Sequence, residues 1–473
     1  MTFPPVERPN LALCSWPFVL ALTGCPGPKA GVDTALDFAD VDAVLYGEAT
    51  NAQAGVSLSA AGDMDGDGYD DVLVGAPGDA SAGSGAGATY LVHGPISGTT
   101  SLAVADAKIT GESLSCRSGS AVAGNFDANG DGTPDILIGA PAAGGPSETG
   151  AAYLVLGPVT GTISLAAADA RFNGESSGAA AGDRVAAGGD VDDDGYDDML
   201  ITSPGWGGET LGTIYVMSGA KSGRASLSTA NAVIRVESTG DNPDSSVAGA
   251  GDNDGDGISD LIIGAYASGG SLSGAYLFLG PVSGSVSMSA ADAEFTGEHG
   301  VDYGGEAVAG PGDVDGDGLD DLVVASGDHG GPQAGAAYLL YGAQTGNVDL
   351  STADAKILGE DTKDRLGCSL GSPGDVDVDG HADLLLGAPG CGATDESGCV
   401  YLVRGPISGI DDVGNVGTRL AAGSGGDSVG LAETAAGDVD GDGLPDILIG
   451  APRMSTPESG NGAAYVLLNG SLF

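Results

Sequence analysis

The stretch GDVDGDGLDD, residues 312–321, decides the fold of this chain because variants of it recur in phase along the sequence. The first aspartates of its seven occurrences are Asp63, Asp127, Asp190, Asp252, Asp313, Asp375 and Asp438. Successive first aspartates lie 61 to 64 residues apart. A constant period of this length is typical of repeat architectures, in which each repeat forms one supersecondary unit. Seven such units predict a closed ring.

One repeat, residues 119–175, contains four short apolar or alternating segments bounded by Gly and Pro. These segments are 120–124, 136–141, 150–157 and 168–175. The acidic stretch lies between the first two, and none of the four has helical periodicity. Four short strands per repeat are the pattern of one propeller blade. The predicted fold class is therefore all-β, a seven-bladed β-propeller of four-stranded blades.

The two ends of the repeat region predict how the ring closes. A fourth-type strand, residues 42–48, precedes the first acidic loop and has no blade of its own. The last repeat ends at residues 462–470 after only three strands. We expect the N-terminal strand to complete the last blade, whereas an eighth repeat or an open solenoid leaves both segments unexplained. The first strand of each blade is rich in Ala and Gly, which suits packing around a narrow central channel.

The charge balance excludes nucleic acid as a partner. The chain has 473 residues, a formal net charge of −51 and only 15 basic residues, whereas phosphate binding needs clustered Lys and Arg. Much of the negative charge lies in the seven loops. Bound cations would relieve the self-repulsion of these loops.

The N-terminus has the features of a secretion signal. Arg8 precedes an apolar run from Leu11 to Leu22, which is too short to span a bilayer. The ending Leu-Thr-Gly-Cys25 resembles a bacterial lipobox, in which the cysteine is lipidated; the alternative is an ordinary signal peptide with Cys25 incidental. We therefore predict a signal peptide at 1–24, a tether at 25–41 and the propeller at 42–473. The predicted location is the bacterial outer membrane, as a surface-exposed lipoprotein held by its lipid anchor.

Four cysteines remain in the predicted mature chain besides Cys25. Cys391 and Cys399 flank a short loop between two strands, so a local disulfide is expected in an oxidising compartment. Cys116 and Cys368 lie four repeats apart, and buried thiols are the simpler expectation for them.

Each acidic loop fits the pattern D-x-[DN]-x-D-G-x-x-D. Positions one, three, five and nine offer side-chain oxygens, and position seven offers its carbonyl. The predicted metal ligands are Asp63, Asp65, Asp67, Tyr69, Asp71, Asp127, Asn129, Asp131, Thr133, Asp135, Asp190, Asp192, Asp194, Tyr196, Asp198, Asp252, Asp254, Asp256, Ile258, Asp260, Asp313, Asp315, Asp317, Leu319, Asp321, Asp375, Asp377, Asp379, His381, Asp383, Asp438, Asp440, Asp442, Leu444 and Asp446. An oxygen-only shell on a flexible backbone suits Ca²⁺, whereas Mg²⁺ needs a smaller octahedral shell and Zn²⁺ prefers His and Cys.

Up to seven Ca²⁺ ions are therefore predicted. The loops differ from an EF-hand because position twelve, Val74 in loop one, is not Glu and because strands flank each loop. Asn129 removes one charge from loop two, which predicts weaker binding there. The imidazole of His381 is expected to face solvent. We expect these ions to stabilise the fold rather than to perform chemistry.

The combination of a small-residue strand, an Asp-rich loop and a Gly-Ala-Pro element resembles the FG-GAP repeat of integrin α subunits and related bacterial propellers. The matching elements are Gly75-Ala76-Pro77, Gly139-Ala140-Pro141, Gly387-Ala388-Pro389 and Gly450-Ala451-Pro452. The resemblance extends over residues 42–473. It implies Ca²⁺ at one face of a seven-bladed propeller and a role in adhesion or protein recognition.

The Gly-Ala-Pro element is absent from blades three, four and five, at the face opposite the acidic loops. A ligand patch is predicted there from the aromatic and histidine residues Trp206, Tyr266, His299, Tyr303 and His329. Ordinary loop variation is the alternative. The predicted function is adhesion or protein recognition by a calcium-binding cell-surface propeller, without catalysis. A lectin or a polysaccharide-active enzyme is the alternative, with His299 and His329 beside Asp302 and Asp328 as its acid/base group.

Overall fold

The computed structural model describes residues 36–37, 41–144, 149–205, 212–219, 221–236, 241–267, 274–298, 304–327, 329, 333–391, 397–421, 427–455 and 460–471. Within these residues the chain forms seven sheets, each a blade of one β-propeller. The first strand of every blade contacts the first strands of both neighbouring blades, so that these strands form a closed inner ring. The predicted signal peptide and Cys25 lie outside the described residues.

Blades are numbered by the acidic loop that they carry. The first strands are Ser57–Gly62, Ala121–Phe126, Val185–Gly189, Asp241–Gly251, Ala307–Gly312, Leu370–Gly374 and Glu433–Gly437. The second strands are Asp71–Ala76, Asp135–Ala140, Asp198–Ser203, Asp260–Ala267, Asp321–Ser326, Asp383–Ala388 and Asp446–Ala451. Each second strand pairs antiparallel with the first, and the acidic loop joins the two.

The outer half of each blade follows the same antiparallel order. The third strands are Ala88–Val92, Ala151–Val155, Thr213–Met217, Gly274–Phe278, Ala336–Leu340, Cys399–Val403 and Ala463–Leu467. The fourth strands of blades one to six are Ala107–Thr110, Ala170–Asn173, Ala232–Arg235, Ala293–Thr296, Ala355–Leu358 and Gly417–Ala421. The four strands predicted for each blade are thus confirmed.

Each sheet also has a fifth strand that the sequence did not predict. The segment between the third and fourth strands of a blade crosses to the preceding blade and pairs parallel with its fourth strand. These bridging strands are Gly98–Ser101, Gly161–Ser164, Gly223–Ser226, Gly284–Ser287, Gly346–Asp349 and Gly409–Asp412. A short helical turn follows each of them: 3₁₀ turns at Leu102–Val104, Leu165–Ala167, Leu227–Thr229, Met288–Ala290 and Leu350–Thr352, and an α-helical turn at Val413–Val416. A further 3₁₀ turn, Asn469–Ser471, follows the last strand.

The N-terminal strand closes the ring as predicted. Ala43–Tyr46 pairs antiparallel with the third strand of blade seven, with Ala43 opposite Val466 and Tyr46 opposite Ala463. The strand Leu36–Asp37 pairs parallel with the fourth strand of blade six, which is the position of a bridging strand. Part of the segment predicted as a tether therefore belongs to a blade. Blade seven therefore combines a strand from the N-terminal part of the described chain with three strands from its C-terminal part.

The hydrophobic core lies between blades rather than within one. Each of seven clusters of buried side chains is formed by two neighbouring blades. In the second strand of blade one, Val72 and Val74 pack toward blade seven, whereas Leu73 packs toward blade two. Because both faces of a second strand are covered, its sequence is a continuous apolar run instead of an alternating one. All six residues of Asp71–Ala76 are buried.

Polar clusters join neighbouring blades near the outer rim. In each, a glutamate that follows the fourth strand of one blade meets a tyrosine of the third strand and a Lys or Arg of the fourth strand of the next blade. Between blades four and five, Glu298 accepts from the Tyr338 hydroxyl at 3.2 Å and pairs with Lys356, whose ammonium lies 4.9 Å from the centre of the tyrosine ring. The clusters centred on Glu48, Glu112, Glu175 and Glu360 follow the same plan.

Breaking one of these clusters is predicted to lower the stability of the fold strongly, because it leaves a buried charge without its partner. The Glu112 carboxylate pairs with buried Arg171 and, at 3.3 Å, with exposed Arg224. Glu112→Ala leaves the Arg171 guanidinium buried without its carboxylate, so we expect a loss of about 3 kcal/mol in the free energy of unfolding. Arg224→Ala is the matched control, with an expected loss below about 1 kcal/mol because that pair is exposed. Equal losses in urea unfolding of the two variants would contradict this role.

Candidate metal centres

Each acidic loop joins the first two strands of its blade on one face of the ring. In loop five the Asp313 carboxylate accepts the backbone N–H groups of Gly316 at 2.6 Å, Asp317 at 3.1 Å and Gly318 at 2.8 Å. Gly316 and Gly318 have φ values of 83° and 92°, a left-handed conformation that favours glycine. Loops one, two and seven repeat all three bonds. The turn is therefore wound around the first aspartate.

The position-nine aspartate ties the loop to the rest of its blade. Asp321 Oδ2 accepts from the Val314 N–H at 2.7 Å, and Oδ1 accepts from the Gly342 N–H, just after the third strand, at 2.9 Å. All seven position-nine aspartates are fully buried: Asp71, Asp135, Asp198, Asp260, Asp321, Asp383 and Asp446. Burial raises the pKa to about 7 for Asp198 and Asp446 and to about 6 for the other five.

The donor set fits a hard divalent cation. In loops one, three, four, five and six, oxygens from three aspartates of the loop lie within 4.8 Å of one another. In loop three, Asp192 Oδ1 and Asp198 Oδ1 are buried and have no hydrogen-bond partner among the described residues. The same holds for Asp377 Oδ1 in loop six. Buried anionic oxygens without a donor are costly unless a counter-charge is close. Oxygen-only ligands on a glycine-rich turn match the preferences of Ca²⁺. Such an ion would supply charge neutralisation and a cross-link between the first two strands.

The residue that follows the third strand of a blade can lie against the acidic loop, which the sequence did not reveal. His93 follows the third strand of blade one, and its Nδ1 lies 3.0 Å from Asp65 Oδ2. Ser218 and Arg404 occupy the same place in blades three and six and approach Asp194 and Asp377. Thus, in these three blades, the residue directly after the third strand contacts the acidic loop. Only the position of this residue within the repeat could have indicated the contact.

The expectation that the His381 imidazole faces solvent was wrong. Its ring lies against Gly316 of loop five, where a Cβ added to that glycine would be 2.6 Å from His381 Cε1. The Nδ1 atom is buried and has no partner among the described residues. The ring packs there because neighbouring loops lie side by side on one face of the propeller.

The opposite face has a cavity of about 390 Å³ at the mouth of the central channel. The first strands of all seven blades, or the residues just before them, line it: Ser57, Ser120, Arg184, Ser246, Glu306, Ser369 and Glu433. Glu433 accepts from the Ser369 hydroxyl at 2.7 Å, while its Oε2 is buried without a partner. The small residues predicted for the channel leave room for this cavity.

Burial raises the pKa of Glu433 from 4.5 to about 7, which predicts a pH-dependent stability. Because the folded-state pKa is the higher one, Glu433 favours folding most below about pH 4.5, and this contribution is lost as the pH rises through about 7. The difference corresponds to about 3 kcal/mol. Glu433→Gln should therefore be more stable than the parent at pH 8 by up to that amount and gain nothing at pH 4. A gain in urea unfolding that is the same at both pH values would contradict the assignment.

The predicted ligand patch lies mostly outside the described residues, which exclude Trp206, His299 and Tyr303. Tyr266 lies in the second strand of blade four, with only its backbone described. His329 is described, and it is buried rather than displayed at the surface. Its Nδ1 is 3.1 Å from the Tyr338 hydroxyl, and its Nε2 is 3.6 Å from Glu298. His329 therefore belongs to the polar cluster between blades four and five.

The structure also places the cysteines. Cys391 and Cys399 form a disulfide, with their Cα atoms 5.6 Å apart. Cys116 is a buried thiol and Cys368 is a half-buried one. Among the described residues, every helix is too short to cross a bilayer.

Comparison with known families agrees with this geometry. The FG-GAP repeat family matches residues 54–92, 118–155, 181–217 and 432–467, which run through the acidic loops of blades one, two, three and seven. Four of the seven blades therefore carry FG-GAP repeats. Blades four, five and six keep the same strand pairing outside the matched residues.

Several integrin α subunits are similar to part of this chain. Integrin α-5 of Xenopus laevis is 31% identical over 174 residues, 34% of this chain and 16% of that relative. Integrin α-IIb of Homo sapiens is 34% identical over 165 residues, also 34% of this chain and 16% of the relative. Integrin α pat-2 of Caenorhabditis elegans is 30% identical over 233 residues, 45% of this chain and 18% of the relative. The chain thus spans less than a fifth of these curated relatives.

A solved structure, that of the Dos1 propeller, covers 88% of this chain and 93% of its own, with a TM-score of 0.41 and 8% sequence identity. It is too distant to bear on function.

Proposed function

We propose that this protein is a calcium-stabilised cell-surface propeller that binds a protein partner in adhesion, without catalysis. The observation that carries the calcium assignment is the set of seven buried position-nine aspartates, of which Asp260, Asp321 and Asp383 share an oxygen cluster with positions one and three of their loops. The similarity to integrin α subunits supports the recognition role. The ions would be structural, because each loop links two strands of its own blade.

The face opposite the loops is the proposed recognition surface. It carries the channel-mouth cavity, whose lining includes Arg184 and Glu306, and it is the face on which the Gly-Ala-Pro element varies among blades. On the loop face, by contrast, the aspartates would be committed to ions. A protein ligand is favoured over a glycan by the integrin similarity, and Trp206 remains a predicted contact at this face.

The proposed location is outside the cytoplasm. The Cys391–Cys399 disulfide supports an oxidising compartment. Lipidation of Cys25 and display on the bacterial outer membrane are proposed from the Leu-Thr-Gly-Cys signal alone. Metabolic labelling with an alkyne-bearing fatty acid tests the anchor: the parent chain should be labelled and a Cys25→Ala chain should not. Labelling of neither chain would exclude the lipid anchor.

Binding itself is tested with the purified chain immobilised in 2 mM Ca²⁺, probed against cell-surface proteins and, separately, against a glycan array. We expect saturable binding of a protein that Trp206→Ala weakens at least tenfold. Val378→Ala is the matched control, since this exposed apolar residue lies in loop six on the other face. Glycan binding without protein binding would favour the lectin alternative. A loss of binding with Val378→Ala only would place recognition on the loop face.

A further inference from the structure

The seven acidic loops contact one another around the ring, and position eight makes the contacts. The backbone N–H of this residue donates to the carbonyl of the position-one aspartate in the preceding loop. The bonds are Asp70 to Asp438 at 2.9 Å, Asp197 to Asp127 at 3.4 Å, Ser259 to Asp190 at 3.1 Å, Asp320 to Asp252 at 3.3 Å and Ala382 to Asp313 at 2.8 Å. They connect loop one to loop seven, and loops three to six each to the loop before.

In three of these links the side chain adds a second bond. Asp70, Asp197 and Asp320 accept through Oδ2 from the N–H of the same position-one aspartate, each at 2.8 Å. Two hydrogen bonds then hold the first ligand residue of one loop to the next loop. The residue at position seven packs across several of these junctions as well: Tyr69 lies against Gly441, and Tyr196 lies against Gly130.

Two links are missing because position eight is proline. Pro134 in loop two and Pro445 in loop seven have no backbone N–H to donate. Each proline lies between its own loop and the preceding loop, as the hydrogen-bonded position-eight residues do. A Cβ added to Gly62 would lie 2.9 Å from Pro134 Cγ, just as one added to Gly437 would meet Asp70 Oδ2 at 2.3 Å. The junctions between loops one and two and between loops six and seven are therefore in contact but lack the position-eight hydrogen bond. At the second of them, Asn469 after the last strand donates a side-chain N–H to the Val376 carbonyl of loop six.

We propose that position eight couples the calcium sites, so that the seven loops fill as two cooperative groups. One group is loops seven and one, and the other is loops two to six. The inference rests on the proposed calcium sites. It assigns Asp70, Asp197 and Asp320 as positioning residues, which act on a neighbouring ion through its position-one ligand.

The coupling follows from where each hydrogen bond begins and ends. Position one is the first ligand of its own ion, whereas position eight lies between the last two ligands, at positions seven and nine, of the next ion. An ion that orders one loop therefore fixes the backbone carbonyl and N–H of its position-one aspartate. These are the groups to which position eight of the next loop forms its hydrogen bonds. Ordering of the second loop then costs less conformational entropy, and its affinity rises. A coupling of about fivefold per link is at the lower end of measured values.

Native mass spectrometry of the full folded chain, titrated with Ca²⁺ and restricted to compact charge states, counts ions molecule by molecule. We expect a distribution of ion counts that is broader than the binomial one, with an excess of nearly empty and nearly full chains near half-saturation. Ala382→Pro should separate loop six from loops two to five, reducing this excess and weakening one site about fivefold. Proline is tolerated at this position in loops two and seven. Ala382→Ser, which keeps the N–H as Ser259 does, is the matched control and should leave the distribution unchanged.

Pro134→Ala tests the opposite change, because it supplies the N–H that could bond to loop one. The excess of empty and full chains should then increase. A binomial spread up to seven ions, or a distribution that neither proline change alters, would overturn the coupling while leaving the calcium sites standing. Failure of the folded chain to retain any Ca²⁺ would instead refute the proposed function itself.

Discussion

Removal of Ca²⁺ by EGTA is expected to lower the melting temperature by more than about 10 °C. A ligand at one hundred times its dissociation constant stabilises the folded state by about 2.7 kcal/mol per site, so seven sites supply about 19 kcal/mol. With an unfolding entropy of about 2.1 cal/mol/K per residue, that corresponds to a shift of about 20 °C for a chain of this length. The formal net charge of −51 adds to the effect, because the loops repel one another without cations.

Differential scanning calorimetry with and without EGTA measures this shift. Addition of excess Ca²⁺ should restore the original melting temperature, whereas the same concentration of Mg²⁺ should restore much less because it disfavours a flexible shell of this kind. A melting temperature that is unchanged after verified metal removal would refute a structural role for calcium.

Asp321→Asn is expected to be the most damaging single substitution in a loop, at about 3 kcal/mol or more. The fully buried carboxylate accepts the N–H groups of Val314 and Gly342, and it is also a predicted ligand. An amide in its place directs its NH₂ group at one of these donors, and it removes the anionic oxygen from the ion. Hydrogen bonds to charged groups contribute about 1.5–3 kcal/mol each, and a buried donor left without an acceptor costs about 1–3 kcal/mol.

The chain offers a matched control at position three of the same loop. Asp315→Asn makes the same chemical change, but loop two already carries Asn129 at this position. We expect this variant to lose less than about 1 kcal/mol of stability in saturating Ca²⁺ and to bind one ion more weakly. Equal destabilisation of the two variants in urea unfolding would show that position nine has no special structural role.

The repeat made most of the fold predictable. The seven acidic loops fixed the number of blades, and the orphan segments at 42–48 and 462–470 indicated how the ring closes. The bridging strands were not predictable in this way. A segment such as Gly98–Ser101 is exposed, polar and only four residues long, and its partner is the Ala43–Tyr46 strand of a different blade. Local pattern carries no signal for a pairing between blades.

The site was predictable within a loop and not between loops. The identity of each ligand position follows from spacing along one turn, whereas His93 reaches loop one from the end of the third strand. Pro134 and Pro445 are visible in the sequence, but their meaning depends on which neighbouring carbonyl the position faces. The burial of His329 was not predictable for a related reason. Its partners Tyr338 and Glu298 come from two other segments, and together they bury a side chain that was expected on the surface.

The calcium content of the purified chain tests most directly whether the seven loops bind calcium. Protein prepared in 2 mM Ca²⁺ and 2 mM Mg²⁺, freed of unbound ions by desalting, is analysed by inductively coupled plasma mass spectrometry against its molar concentration. The expected content is about seven calcium ions per chain and almost no magnesium, with about one ion fewer in Asp321→Asn. A calcium content below one ion per folded chain would contradict calcium binding by the loops.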